Sequence, residues 1–191
     1  MSTIVRIDTE FGPIRVELDE QASPITTTNF LHYVEEGLYD GGTFHRTVRM
    51  DNQSNENLPK RKDVEENGAP LPNDQEMIEV IQGTINEERQ DELGDPIPLE
   101  RTSETGLRHV DGTISMARTT PDSAVADFFI CINDQPALDF GGKRNIDGQG
   151  FAAFGRVIEG MDVVRTIHTQ PAEGQHLDPE VTINRIVIEE D

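Results

Sequence analysis

Apolar and polar residues alternate with a period of two at both ends of the chain. Ile4, Arg6 and Asp8 alternate with Val5, Ile7 and Thr9, and after Phe11-Gly12-Pro13 the residues Ile14, Val16 and Leu18 alternate with Arg15, Glu17 and Asp19. That period marks strands with one buried face, and the stretch predicts a β-hairpin. The period then lengthens. Thr26, Phe30, Tyr33 and Val34 fall at i, i+4, i+7 and i+8, which is one face of a helix. Ser23 is a good N-cap, Pro24 suits the first helical position and Gly37 is placed to stop the helix, so a helix is expected over 24–36. A short strand follows around Phe44-His45-Arg46, and another over 77–84, with Ile78, Val80 and Gln82 on one face and Glu79 and Ile81 on the other. Apolar strands are expected over 113–117, 127–132 and 151–157, and a short helix over 161–167. A last strand spans 181–188, where the slip between Val181/Ile183 and Ile186/Ile188 predicts a bulge.

Between 50 and 76 apolar residues nearly vanish, which reads as a long polar surface excursion; another polar loop runs through Asp95-Pro96-Ile97-Pro98, and 139–150 is rich in turn residues. No repeat is visible. Many short strands with one helix near each end of the chain argue for a mainly β single domain over 1–191: a closed antiparallel barrel or a sandwich with helices at its ends. Pattern alone does not choose between them.

Charge narrows the function. With 16 basic against 37 acidic residues the formal net charge is −21, and such a surface repels nucleic-acid phosphates and anionic membranes. Lysine occurs only at Lys60, Lys62 and Lys143, the balance that a salt-rich cytoplasm tolerates because salt screens self-repulsion. The one cysteine, Cys131, allows neither an intrachain disulfide nor a Cys-based zinc site, and the histidines show no metal spacing, so neither metal nor cofactor is expected. Asn145-Ile146-Asp147-Gly148 lacks the full acid pattern of a calcium loop and reads as a solvated turn. The N-terminus enters alternating structure directly, so the chain reads as cytoplasmic, the alternative being a periplasmic chain already processed. No exposed apolar stripe argues for a dimer, and a monomer is expected.

Five blocks, in one order, resemble the cyclophilins: Phe44-His45-Arg46, Ile81-Gln82-Gly83, Ser115-Met116-Ala117, Asp127-Phe128-Phe129-Ile130 and Phe154-Gly155. Asn29-Phe30-Leu31 and the run from Glu159 to Val164 fit as well. The resemblance covers most of the chain but not the excursion at 50–76. It implies a closed eight-stranded antiparallel β-barrel with two capping helices, and a peptidyl-prolyl cis–trans isomerase acting on proline-containing polypeptides. By the same resemblance Arg46 and Gln82 are the catalytic pair, and Val80, Ala117, Phe129 and Leu138 line the substrate pocket. Three pocket positions depart from the family pattern. Glu79 stands where a Phe is usual, Ala137 where Trp is common, and Phe151 where His is common. Asp127 also replaces a Gln. Loss of the Phe at Glu79 removes an apolar wall from the proline pocket, which Phe151 or a residue of the excursion would have to replace; Met77 and Met116 are further candidates for the cup. Glu79 also favours an alternative: a module that captures proline-containing peptides with weak or no turnover.

The chemistry asks for such residues. Rotation about an X–Pro bond faces a barrier of about 18–20 kcal/mol from amide resonance, with no bond made or broken. The catalyst must prefer the twisted amide, whose nitrogen regains a lone pair that an arginine can engage.

Overall fold

The computed structural model describes residues 2–53 and 76–190. The expected hairpin forms from β1 (Thr3–Thr9) and β2 (Gly12–Leu18), and α1 (Pro24–Glu35) leads into β3 (Thr43–Val48). Next come β4 (Val80–Thr84), β5 (Thr113–Met116), β6 (Phe128–Cys131) and β7 (Ala153–Glu159). The chain ends with α2 (Met161–His168), β8 (Ala172–Glu173) and β9 (His176–Ile188). All pairings are antiparallel, in the order β1-β2-β7-β5-β6-β4-β3-β9, and β9 returns to pair with β1. That last pairing closes an eight-stranded barrel and excludes the sandwich; β8 is a two-residue addition on β9. The predicted bulge lies where β9 meets β1: Asp8 faces Arg185 while Thr9 faces Ile183, leaving Asn184 as the extra residue.

Alternate residues of the hairpin (Val5, Ile7, Ile14, Val16, Leu18) point into one core with Phe30 of α1 and Val164 and Ile167 of α2. The helices close opposite ends. α1 follows the Leu18 end of β2, whereas α2 lies against its Gly12 end through Val163. Ser23 does not cap α1 with its side chain; its hydroxyl donates instead to the Ala153 carbonyl at 2.8 Å. The Glu100 carboxylate takes the orphan N–H of Thr26 at 2.6 Å and its hydroxyl at 2.7 Å, a cap from a distant loop that local sequence does not announce. Gly37 ends the helix with φ +70°.

Three short helical turns fall where only loops were expected: Glu87–Glu92, Thr102–Thr105 and Pro136–Leu138. Each is too short to show an apolar period. The excursion read at 50–76 lies, over 54–75, outside the described residues. Strand β4 begins at Val80 rather than Met77.

β4 and β6 are apolar on both faces. Ile81, Phe128 and Ile130 fill the barrel, while Val80, Phe129 and Cys131 point outward and join Val48, Ile78, Leu138 and Phe151 in a second cluster. This explains why 128–132 is a continuous apolar run rather than an alternating one. Burial raises the Cys131 pKa well above the usual thiol value, so the side chain behaves as an inert apolar residue.

Surface arginines are spent on carboxylates, as in Arg15 with Glu159 and Glu189, Arg165 with Asp111 and Arg185 with Asp8. Acid still outweighs base by the net −21. Raising salt from about 0.1 M to about 1 M shortens the screening length from about 10 Å to about 3 Å. The midpoint of thermal unfolding is therefore expected to rise with added KCl; a flat or falling midpoint in a calorimetric salt series would contradict this.

Candidate active site

The outer cluster becomes a site because of register. Gln82 in β4 faces Arg46 of β3 on one side and Phe129 of β6 on the other, so the three side chains stand in a row across adjacent strands. Alternation in β3 alone would put Phe44 and Arg46 on the same face. A bulge at His45 prevents that: Phe44 pairs with Gly83 and Arg46 with Gln82, leaving His45 unmatched. Phe44 stays fully buried in the barrel, and Arg46 is turned out beside Gln82. His45 carries the cost; its Nδ1 is buried with no hydrogen-bond partner among the described residues, and burial lowers its pKa.

Against this row lies a cavity of about 220 Å³. Its apolar wall is Val80, Phe129, Leu138, Phe151 and Ile78, with Ala117 and Thr119 beside them. Arg46 and Gln82 form one polar flank, and the buried Arg118 and Arg144 also border the space. Phe129 and Phe151 meet edge to face, centroids 5.7 Å apart at 86°. Phe151 is held from behind. The Arg118 guanidinium lies 4.6 Å over its ring, itself locked by two bonds to Asp147 at 2.9 and 3.0 Å and two to the Gly150 carbonyl at 2.9 and 2.6 Å. Asp147 is thus an ion-pair anchor for the pocket wall, not the solvated turn expected from Asn145-Ile146-Asp147-Gly148. Arg144 donates to the Glu76 carbonyl at 2.7 Å and the Gln53 amide oxygen at 3.3 Å.

The polar flank is pre-set. Arg46 donates through Nη1 to Gln82 Oε1 at 3.1 Å, and through Nε and Nη2 to Gln175 Oε1 at 3.0 and 2.7 Å. Gln82 in turn donates through Nε2 to Asp127 Oδ2 at 3.3 Å, and the other Asp127 oxygen accepts the Thr84 hydroxyl at 2.5 Å. Oxygen toward the arginine and nitrogen toward the carboxylate is the one orientation of the Gln82 amide that suits both neighbours. A neutral amide oxygen accepts from the guanidinium on each side, at Gln82 and at Gln175.

A family model described as cyclophilin type peptidyl-prolyl cis-trans isomerase/CLD matches residues 4–188. The chain belongs to the cyclophilin family. A peptidyl-prolyl cis-trans isomerase of Streptomyces antibioticus, cyp18, is 33% identical over 190 residues, spanning 99% of this chain and 96% of its own. Peptidyl-prolyl cis-trans isomerase B of Escherichia coli is 30% identical over 187 residues, 97% of this chain and 96% of the relative. In fold, a crystal structure of a Cryptosporidium parvum cyclophilin superposes with a TM-score of 0.71 at 21% identity, covering 100% of this chain and 99% of that one. A second structure of that protein, in the presence of the dipeptide Ala-Pro, gives 0.70 at 22% identity and covers 98% and 99%.

All seven positions that the sequence pointed to, Arg46, Gln82, Val80, Ala117, Phe129, Leu138 and Phe151, line the same cavity of this cyclophilin. Glu79 does not. Its carboxylate turns away to accept from the Asn133 amide at 2.9 Å, and Ile78 and Phe151 supply the apolar wall. Met116 belongs to the barrel core and Met77 is exposed, so neither joins the cup. Sequence reasoning missed Gln175, Arg118 and Arg144. Each acts from a loop far along the chain, and nothing in local periodicity marks it.

Proposed function

We infer that this cyclophilin accelerates cis–trans rotation of X–Pro peptide bonds in flexible or unfolded polypeptides. It does so without covalent chemistry, with Arg46 stabilising the twisted amide. The observation that carries this reading is the row Arg46–Gln82–Phe129, which sets a charged donor beside an apolar cup. A cavity of about 220 Å³ suits one prolyl ring with part of its neighbour. With the ring held by Phe129, Phe151 and Leu138, rotation must be made by the acyl side. As resonance breaks, the prolyl nitrogen turns pyramidal and accepts a hydrogen bond that neither planar isomer can accept. A donor aimed there lowers the barrier without tightening either ground state. Arg46 is suited to that task because its guanidinium stays charged and its fork is oriented on both edges before substrate arrives. Gln82 is placed to bind substrate backbone. The family relatives named as isomerases support the reading. The binding-module alternative loses its motive, since Glu79 faces away from the cup.

A protease-coupled assay on a short X–Pro peptide tests the reading: clear acceleration of the slow phase is expected, and peptide binding without acceleration would overturn it. The same assay examines the support of the arginine. Gln175→Leu removes the acceptor that holds the Nε/Nη2 edge. It is expected to lower kcat about tenfold with KM within about twofold, because the arginine acts on the transition state rather than on bound peptide. A rise in KM at constant kcat would show that Gln175 serves binding instead.

A further inference from the structure

An Asp–His–Ser chain, its imidazole and serine buried and its carboxylate partly exposed, lies behind the cup. His109 is 1% exposed, with Nδ1 2.8 Å from Asp139 Oδ1 and Nε2 2.9 Å from Ser115 Oγ. The partners fix the tautomer: the ionised carboxylate accepts, so Nδ1 carries the proton, and Nε2 accepts from the serine hydroxyl. Burial lowers the His109 pKa despite the Asp139 carboxylate, which keeps the ring neutral. On Asp139 burial acts upward, but the bonds from the His109 ring and backbone N–H outweigh it and hold the carboxyl below its usual range.

The arrangement resembles a hydrolytic triad in composition only. Ser115 is fully buried, so no acyl group could reach its hydroxyl. What the chain does reach is the cup. The His109 ring lies nearly parallel to Phe129, at 15° with centroids 6.0 Å apart, and Phe129 meets Phe151 edge to face on the cavity wall. Asp139 directly follows Leu138, another wall residue, and the Phe151 N–H donates to the Leu138 carbonyl at 3.0 Å. Ser115 sits opposite Phe129 across the β5–β6 ladder. One imidazole therefore touches Phe129 through its face, the Leu138–Asp139 segment through Nδ1 and β5 through Nε2.

We propose that His109 is a positioning residue of the isomerase, a rigid plate that sets the plane of Phe129 and spaces it from Leu138, so that the Asp139–His109–Ser115 chain determines how tightly the prolyl ring is gripped. It touches neither substrate nor Arg46. A ring gripped equally in both planar forms and in the twisted one is uniform binding, which appears in KM and in peptide affinity rather than in kcat. This separates it from Gln175, which works through the arginine.

The proposal rests on the isomerase reading, and the experiment keeps the two apart by pairing steady-state kinetics with the calorimetric dissociation constant of an Ala-Pro-containing tetrapeptide. His109→Leu, which removes the ring face and both bonds, is expected to raise KM and the dissociation constant about tenfold with kcat within about twofold. The double variant His109→Phe/Ser115→Ala restores a flat ring and leaves no unpaired hydroxyl; it is expected to return both within about threefold of the parent. If His109→Leu does not fold, Asp139→Ala reads the same grip through loss of the Nδ1 bond, with a rise of about threefold expected. Unchanged affinity and KM in the folded variants, or a loss confined to kcat, overturns the proposal. An inactive parent that still binds peptide would count against the isomerase reading alone, since the affinity arm would still test the plate.

Discussion

Arg46→Ala is expected to lose about 10²–10³-fold in kcat/KM, nearly all of it in kcat, while the protein remains folded. The magnitude is that of removing one pre-oriented donor aimed at charge that develops only in the transition state, about 3–4 kcal/mol. The fold should survive because the side chain stands on the outer face of β3, turned out by the bulge at His45, and holds no part of the barrel interior. Its removal frees the amide oxygens of Gln82 and Gln175, where water can replace the guanidinium. Peptide affinity should change little, since the apolar wall is intact. Protease-coupled kinetics with a calorimetric melt check both halves; full turnover in the variant, or a collapse in melting temperature, would contradict the role.

The largest effect on stability is expected one strand position away from the site. Phe128 is fully buried and meets three rings: Phe30 at 5.7 Å, Tyr39 at 5.6 Å and Phe44 at 5.7 Å, all near edge to face. Its ring also presses on Gly83, where an added Cβ would lie 2.7 Å from Phe128 Cζ. Phe128→Ala would open a cavity that α1, β3 and β4 cannot all move to fill, at a cost of about 3–5 kcal/mol. For a domain of this size that corresponds to a fall in Tm of roughly 6–20 °C. A fall of less than about 3 °C in differential scanning calorimetry would mean that the aromatic cluster does not organise the barrel.

These two residues show which parts of the structure were legible in the sequence. The hairpin, α1, α2 and the bulge of β9 followed from period, because each buries one face and its apolar residues must repeat accordingly. Closure did not follow from period. It depends on β9 pairing with β1 from the far end of the chain, and the eight-stranded barrel came from the family resemblance instead. In 128–132 the period was absent because the barrel buries one face and the cup the other. At the site, block order was enough to point to the residues that line the cavity, but not to show how Arg46 reaches it. Strict alternation would have buried Arg46 with Phe44, and only the unmatched His45 turns it outward. The supports lie further from local pattern. Gln175, Arg118 and His109 are polar residues 129, 33 and 20 positions from the groups they hold, Arg46, Phe151 and Phe129, and their roles exist only once the sheet has closed. Glu79 was misplaced for the opposite reason. It sits just before β4 begins, where the carboxylate is drawn to Asn133 and the pocket position passes to Ile78.

Exchange NMR on an Ala-Pro-containing peptide, with the protein at catalytic concentration, addresses the central claim most directly, since it observes the two isomers at equilibrium with no protease present. The account predicts cis–trans exchange cross-peaks that grow with the parent protein and nearly vanish with folded Arg46→Ala, while both proteins, raised to a concentration comparable with the peptide, shift the peptide resonances. Peptide resonances shifted by the parent protein without exchange between isomers would contradict it.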